Sequence, residues 1–174
     1  MTRMQATTAA KPAERWPQSA LLAELKPVVV RTVRLIVGAG SAVAEDAAQD
    51  ALIELAQAFG SLRDPAAGPA FAARIAARVA LRVARRERRL AVLGMRSSRV
   101  IESVAADELP DLLELKQAFD RLPPRQRATA VLRLYVGLSE QETARALRCS
   151  AGTVKRQLHD ARRALAQGIT ELNL

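Results

Sequence analysis

Aromatic side chains are almost missing from this sequence: one Trp, one Tyr and three Phe make up 3% of 174 residues. No set of bulky rings can organise the interior, so burial has to come from many small side chains packed closely. The single cysteine, Cys149, excludes an internal disulfide and any cysteine-cluster zinc site. The single histidine, His159, removes histidine-rich metal sites and argues against a histidine-based catalytic dyad. Long hydrophobic runs are missing too. The most apolar stretch, VVVRTVRLIV at 28–37, is too short to cross a bilayer and contains Arg31 and Arg34. No secretory signal is read, so a cytoplasmic protein without membrane insertion is expected. No nucleophile–base pair, phosphate loop or ligand cluster stands out. The chain therefore reads as a non-enzyme, with no cofactor and no metal.

What is abundant is equally telling. Apolar residues reach 49%, and 35 residues are alanine. Ala, Leu, Arg, Glu and Gln dominate, all strong helix formers, and no convincing alternating strand segment is found, so an all-α fold is expected. Net charge is +9, carried by 23 Arg and 4 Lys. The arginine skew and the alanine load together look like a GC-rich coding bias, but a pI near 11.1 still points to nucleic acid or an anionic membrane surface.

Along the chain, residues 1–17 are small and polar with Pro12 and Pro17, and read as a disordered tail. Helical material follows from 18 to 37, with Val29, Val30, Val33 and Val37 at helical spacing, a break expected near Pro27, and Gly38 and Gly40 as terminators. The next helix opens at about Ser41. Ala44, Ala48, Ala51, Leu52, Leu55 and Phe59 form its apolar face, and Glu45, Asp46, Gln49, Asp50 and Glu54 an acidic one. Acids in a first turn also suit the helix dipole, so part of this pattern fits plain capping. After the loop GSLRDPAAGP at 60–69 comes FAARIAARVALRVARRERR, with Arg74, Arg78, Arg82, Arg85, Arg86, Arg88 and Arg89 within roughly 160° of arc. The segment ESVAADELPDLLE at 102–114 carries five acids and no base and reads as a linker, spanning about 91–112. A second helical block runs from Leu113, divided by LPP at 122–124. About ten residues follow Leu165, so no added C-terminal domain is expected.

The most specific motif is GLSEQETARALRCSAGTVKRQLHDARRAL at 137–165. Gly137 closes one helix, and Ser139 with Glu142 forms a capping box for the next. Thr143, Ala144 and Leu147 make its inner face. Ser150 caps a second helix, where Val154, Leu158, Ala161 and Leu165 recur at intervals of 4, 3 and 4. Thr153, Lys155, Arg156, His159, Arg162 and Arg163 are left facing outward. A short helix, a tight turn and a basic helix form a helix-turn-helix.

These residues carry a resemblance. LPPRQRATAVLRLYVGLSEQETARALRCSAGTVKRQLHDARRAL resembles domain 4 of bacterial extracytoplasmic-function (ECF) sigma factors, over about 45 residues without a gap. AEDAAQDALI at 44–53 and RIAARVALRVARR at 74–86 are similar to the acidic and arginine helices of sigma domain 2. The resemblance implies two small helical domains, at 18–90 and 113–174, joined by the acidic linker. It implies core RNA polymerase and promoter DNA as partners, with an anti-sigma factor that clamps the two domains as a further one.

On the family's pattern, Glu45, Asp46, Gln49 and Asp50 would dock on the polymerase beta-prime coiled coil, and the second domain would sit on the beta flap. Arg74, Arg78, Arg82, Arg85 and Arg86 would lie on the −10 element. Thr153, Lys155, Arg156, His159 and Arg162 would read the −35 element, with Arg162 and Arg163 nearer phosphate. This chain departs from the family at Phe71, commonly Trp, at Ala73, often Tyr, and at Arg78, usually Asn, so an unusual −10 preference is expected. Arg148 stands where the family often has Gly. If that position needs a left-handed backbone, Arg costs about 1 kcal/mol, which a phosphate contact would partly offset. Cys149 reads as a small buried residue rather than a redox sensor, and the linker acids would either imitate RNA in the family's exit channel or form a plain solvated linker. Two other readings compete: a stand-alone helix-turn-helix regulator, which the acidic face disfavours, and a membrane-surface protein, which the scarcity of large apolar residues on the arginine helix disfavours.

Overall fold

The computed structural model describes residues 18–38, 42–93 and 118–172, and these are helices, turns and loops with no strand. The expected N-terminal tail and nearly all of the expected acidic linker lie outside the described residues.

Three helices form the N-terminal unit. Helix α1 (Gln18–Val37) buries Leu25, Val29, Val33 and Ile36. It runs unbroken through Pro27, contrary to the expected break. Pro27 and Ala23, whose carbonyl loses its partner there, both lie on the exposed side, where water can replace the missing bond. The buried residues continue on either side of Pro27, so packing outweighs the local penalty. The stripe also differs from the one expected, since Val30 and Val37 are half-buried while Ile36 is fully enclosed. Helix α2 (Ala42–Ala58) buries Ala44, Ala47, Ala48, Ala51 and Leu55. Helix α3 (Gly68–Val92) is the arginine helix.

Helix α3 is central. Ala72, Ala73, Ala76, Ala77 and Ala80 are completely enclosed, with Ile75, Val79 and Leu81 beside them. Alanine carries no side-chain rotamers to freeze and lets neighbouring helices come close on several sides at once. The small core expected from the composition is thus built around this helix. Phe71 is half-buried against the core, with the Arg74 guanidinium 5.6 Å above its ring.

The C-terminal unit starts with helical residues 118–121. Helix α4 (Pro124–Ala130) follows and runs into a wide helical turn at Val131–Tyr135. There the Val136 amide reaches the Val131 carbonyl at 3.0 Å, and Gly137, at φ 79°, closes the turn. Helix α5 (Glu140–Leu147) has the expected capping box. The Glu142 amide donates to Ser139 Oγ at 3.2 Å, and the Ser139 amide donates to Glu142 Oε2 at 2.8 Å. The side-chain and backbone bonds to Ser139 hold the Glu142 carboxyl below its ordinary pKa. Helix α6 (Ala151–Leu172) buries Val154, Leu158, Ala161 and Leu165, the expected rhythm.

The two units are not held apart. One hydrophobic core contains Val29, Val33, Ala73 and Val79 from the first and Ala128, Val131, Leu132, Leu138 and Leu147 from the second. Arg127 ties them together. It is only 7% exposed, and its guanidinium donates to the Ile36 carbonyl of α1 at 3.2 Å. It also donates to the Asp120 carbonyl at 2.7 Å, the Leu122 carbonyl at 3.0 Å and Asp120 Oδ1 at 3.3 Å. The Ile36 carbonyl belongs to the last turn of α1, where carbonyls lack helical partners and a cation is favoured. Burial lowers the Arg127 pKa and Asp120 partly restores it. Asp120 also approaches Gly38, which ends α1 at φ 113°.

Arg127→Ala should leave three buried or half-buried carbonyls without their donor and cost roughly 2–4 kcal/mol of unfolding free energy. Urea titration followed by circular dichroism should read this as a lower midpoint. The transition should also split into two steps as the units uncouple.

Candidate polymerase and nucleic-acid surfaces

On α2, successive residues turn by about 100°, which puts Asp46, Gln49, Asp50 and Ile53 in one strip with Glu45 and Glu54 at its edges. All four strip residues are exposed. The edge acids are engaged: Glu45 pairs with Arg34 of α1, and Glu54 with Arg82 of α3. Exposed pairs of this kind contribute about 0–1 kcal/mol, so Glu45 remains available to another cation. Ile53 is a residue the sequence reading passed over. It is 55% exposed and sits among acids, where an apolar side chain gains nothing from water.

The arginine face of α3 is exposed at Arg78, Arg82, Arg85, Arg86, Arg88 and Arg89, and half-buried at Arg74. The five arginines expected at the −10 element do not act alike. Arg74 stacks on Phe71, and Arg78 Nε donates back to the Arg74 carbonyl at 3.3 Å. Arg82 is held by Glu54, while Arg85 and Arg86 have no acidic partner among the described residues. Ala73, which stands where the family often has Tyr, is completely enclosed.

Helix α6 presents Lys155, Arg156, His159, Arg162 and Arg163 to solvent as expected. Lys155 Nζ lies 3.6 Å from Glu140 Oε2, a pair that a nucleic acid could displace. Thr153 departs from expectation. It is half-buried, its amide donates to Ser150 Oγ at 3.1 Å, and the two hydroxyls lie 2.9 Å apart. Its hydroxyl meets that of Ser150 at the start of the helix. The recognition helix is braced from behind, where the buried Thr129 hydroxyl meets the Gln157 side chain at 2.7 Å.

Between α5 and α6, Arg148 is left-handed (φ 51°, ψ 58°), the only non-glycine residue with positive φ among those described. Its place at the turn is fixed by the Cys149 amide, which reaches the Ala144 carbonyl at 3.0 Å. Cys149 is half-buried against the shared core, in line with a packing role. Among the described residues no group of His, Cys, Asp and Glu could hold a metal, and no helix is long and apolar enough to cross a membrane. Arg148→Gly should remove the left-handed strain and raise stability by about 1 kcal/mol, read as a higher urea midpoint.

The comparisons with known proteins agree with this arrangement. Residues 21–90 match the Sigma-70 region 2 family model, and residues 112–165 match Sigma-70, region 4. The RNA polymerase sigma-E factors of Streptomyces avermitilis and Streptomyces antibioticus are each 41% identical over 87 residues, covering 43% of this chain and 47% of theirs. The chain thus matches about half the length of these relatives. Among solved structures, the sigma factor RpoE of Bartonella quintana, in complex with the anti-sigma factor NepR, aligns with a TM-score of 0.68 at 22% identity. That alignment covers 87% of this chain and 96% of RpoE. CnrH in complex with the cytosolic domain of CnrY aligns with a TM-score of 0.57 at 22% identity, over 86% and 85% of the two chains. At that identity the likeness is one of fold. Two family models in the right order, on the two helical units that carry the acidic strip and the helix-turn-helix, make the chain a member of the sigma-70 family, of the ECF type.

Proposed function

We propose that this chain directs core RNA polymerase to specific promoters as an ECF sigma factor. The observation that carries the reading is the division of charge between its helices. An acidic strip with an exposed Ile53 lies on α2, while α3 and α6 carry arginine-rich faces. A protein that bound only DNA would gain nothing from Asp46 and Asp50 held in water beside its own basic helices. A surface for a basic protein partner, the beta-prime coiled coil, accounts for both the acids and the apolar residue between them.

On this reading α3 lies along the −10 element and α6 enters the major groove at the −35 element, with the C-terminal unit on the beta flap. The chain works in the cytoplasm, where polymerase and promoter are, and contributes no catalysis of its own. Promoter binding requires the two units to part, because the C-terminal unit packs against the helix whose arginines must reach DNA. RpoE and CnrH are both seen with anti-sigma factors, and a partner of that class is proposed for this chain.

Mixing the chain with core polymerase at low salt should give co-elution and promoter-dependent transcripts. Absence of both would overturn the reading. Asp46→Arg with Asp50→Arg should abolish co-elution while leaving the circular dichroism spectrum and urea midpoint nearly unchanged. Ile53→Ala should weaken polymerase binding by about 1–2 kcal/mol, roughly five- to thirtyfold in Kd.

Arginine at position 78 clamps phosphate more readily than it reads a base edge. Arg78→Asn should therefore sharpen the −10 sequence profile measured on a promoter library and lower the salt dependence of binding. An unchanged profile would make Arg78 a phosphate clamp alone.

A further inference from the structure

The joined units form an open cleft of about 820 Å³ between α3 and the α4–α5 side of the C-terminal unit. Arg78, Arg85, Arg86 and Arg89 line it from α3, and Arg125 and Arg148 line it from the other side. None of these six has an acidic partner among the described residues. The carboxylate in the lining, Glu54, is already paired with Arg82. Apolar residues complete the lining, Leu81 and Leu90 on the α3 side and Ala146 and Leu147 on the other.

Six arginines along one open cleft, with Glu54 already paired, concentrate positive charge at the seam where the units meet. The closed arrangement therefore favours an anion between them. Arg148 is a second, independent observation. It occupies a left-handed turn suited to glycine, yet a cationic residue stands there on the lining of this cleft. Backbone strain retained where a side chain reaches a cavity points to a binding role for that side chain. The volume falls in the range of small-ligand sites, about 300–1,000 Å³, and is too small for a DNA duplex. Guanidinium forks match phosphate oxygens two at a time. A chain of linked phosphates also displaces several monovalent counter-ions at once, which favours it over single anions.

We propose that this inter-domain cleft binds a compact phosphate chain, inorganic or carried by a nucleotide, which staples the C-terminal unit onto α3. The occupant competes with promoter DNA for the same arginines and so holds the chain closed. In a nucleotide, the apolar residues of the lining accommodate the base. The site stands independently of the polymerase reading, since it needs neither polymerase nor promoter.

The test is calorimetric titration of the full chain with sodium tripolyphosphate at fixed ionic strength, and in parallel with ATP in the presence of EDTA. Saturable binding at one site per chain is expected, weakened at least about tenfold by Arg148→Gly and by Arg85→Gln with Arg89→Gln. Arg63→Gln, an exposed loop residue outside the cleft, should bind as the parent does. Tighter binding of ATP assigns the site to a nucleotide, and tighter or equal binding of tripolyphosphate to an inorganic chain. Hydrogen exchange should show protection of both α3 and the turn at 148–150. Non-saturating uptake, equal weakening by Arg63→Gln, or protection confined to α3 would overturn the proposal.

Discussion

One helix has to be buried and wet at the same time, and the rest of the molecule is arranged around that constraint. Helix α3 encloses five alanines completely while keeping a row of arginines in solvent. Large side chains at the enclosed positions would push the neighbouring helices away. Small ones let α1, α2 and the C-terminal unit all approach, so the arginine row stands on a rigid base. The near absence of aromatics thus has a structural use. Each alanine buries little area, and stability is gathered from many close contacts.

Closure of the two units follows from the same helix and from Arg127. The shared core supplies non-directional attraction, and the buried guanidinium supplies direction by meeting the free carbonyl end of α1 together with the Leu122 and Asp120 carbonyls. A buried arginine with several acceptors is strongly destabilising to remove, yet it can be neutral overall against an apolar replacement. Its contribution is therefore one of register, fixing which face of the C-terminal unit meets α1. With that face fixed, Arg125 and Arg148 meet the arginines of α3 across a cleft, and the helix-turn-helix surface of α6 remains exposed.

Much of this was legible in the sequence, wherever a signal is local. The capping box at Ser139 and Glu142, the helix end at Gly137, and the rhythm from Val154 to Leu165 all depend on neighbours within a turn or two. The rest depends on contacts distant in the chain. Arg127 looks like any polar residue in LPPRQR, and only the meeting with Ile36, 91 residues away, shows why it is charged. Ile53 breaks the polar pattern of its face and so counts as noise in a periodicity reading. Pro27 misled because the local rule for proline ignores the buried residues that hold α1 together on both sides. Spacing alone places Thr153 outward, and its contact with the Ser150 hydroxyl appears only once the turn is folded. The convergence of arginines from both units could not be read at all, because it arises from the packing of one unit on the other.

The free chain is closed through one shared core, and on the proposed function it opens when it engages polymerase and promoter. The most direct measurement is the distance between spin labels placed at Arg63 and Arg163, both exposed, in a Cys149→Ser background. The account predicts a single narrow distribution in the free chain, and a longer one once core polymerase and promoter DNA are added. A broad distribution in the free chain, or one unchanged by polymerase and promoter, would contradict it.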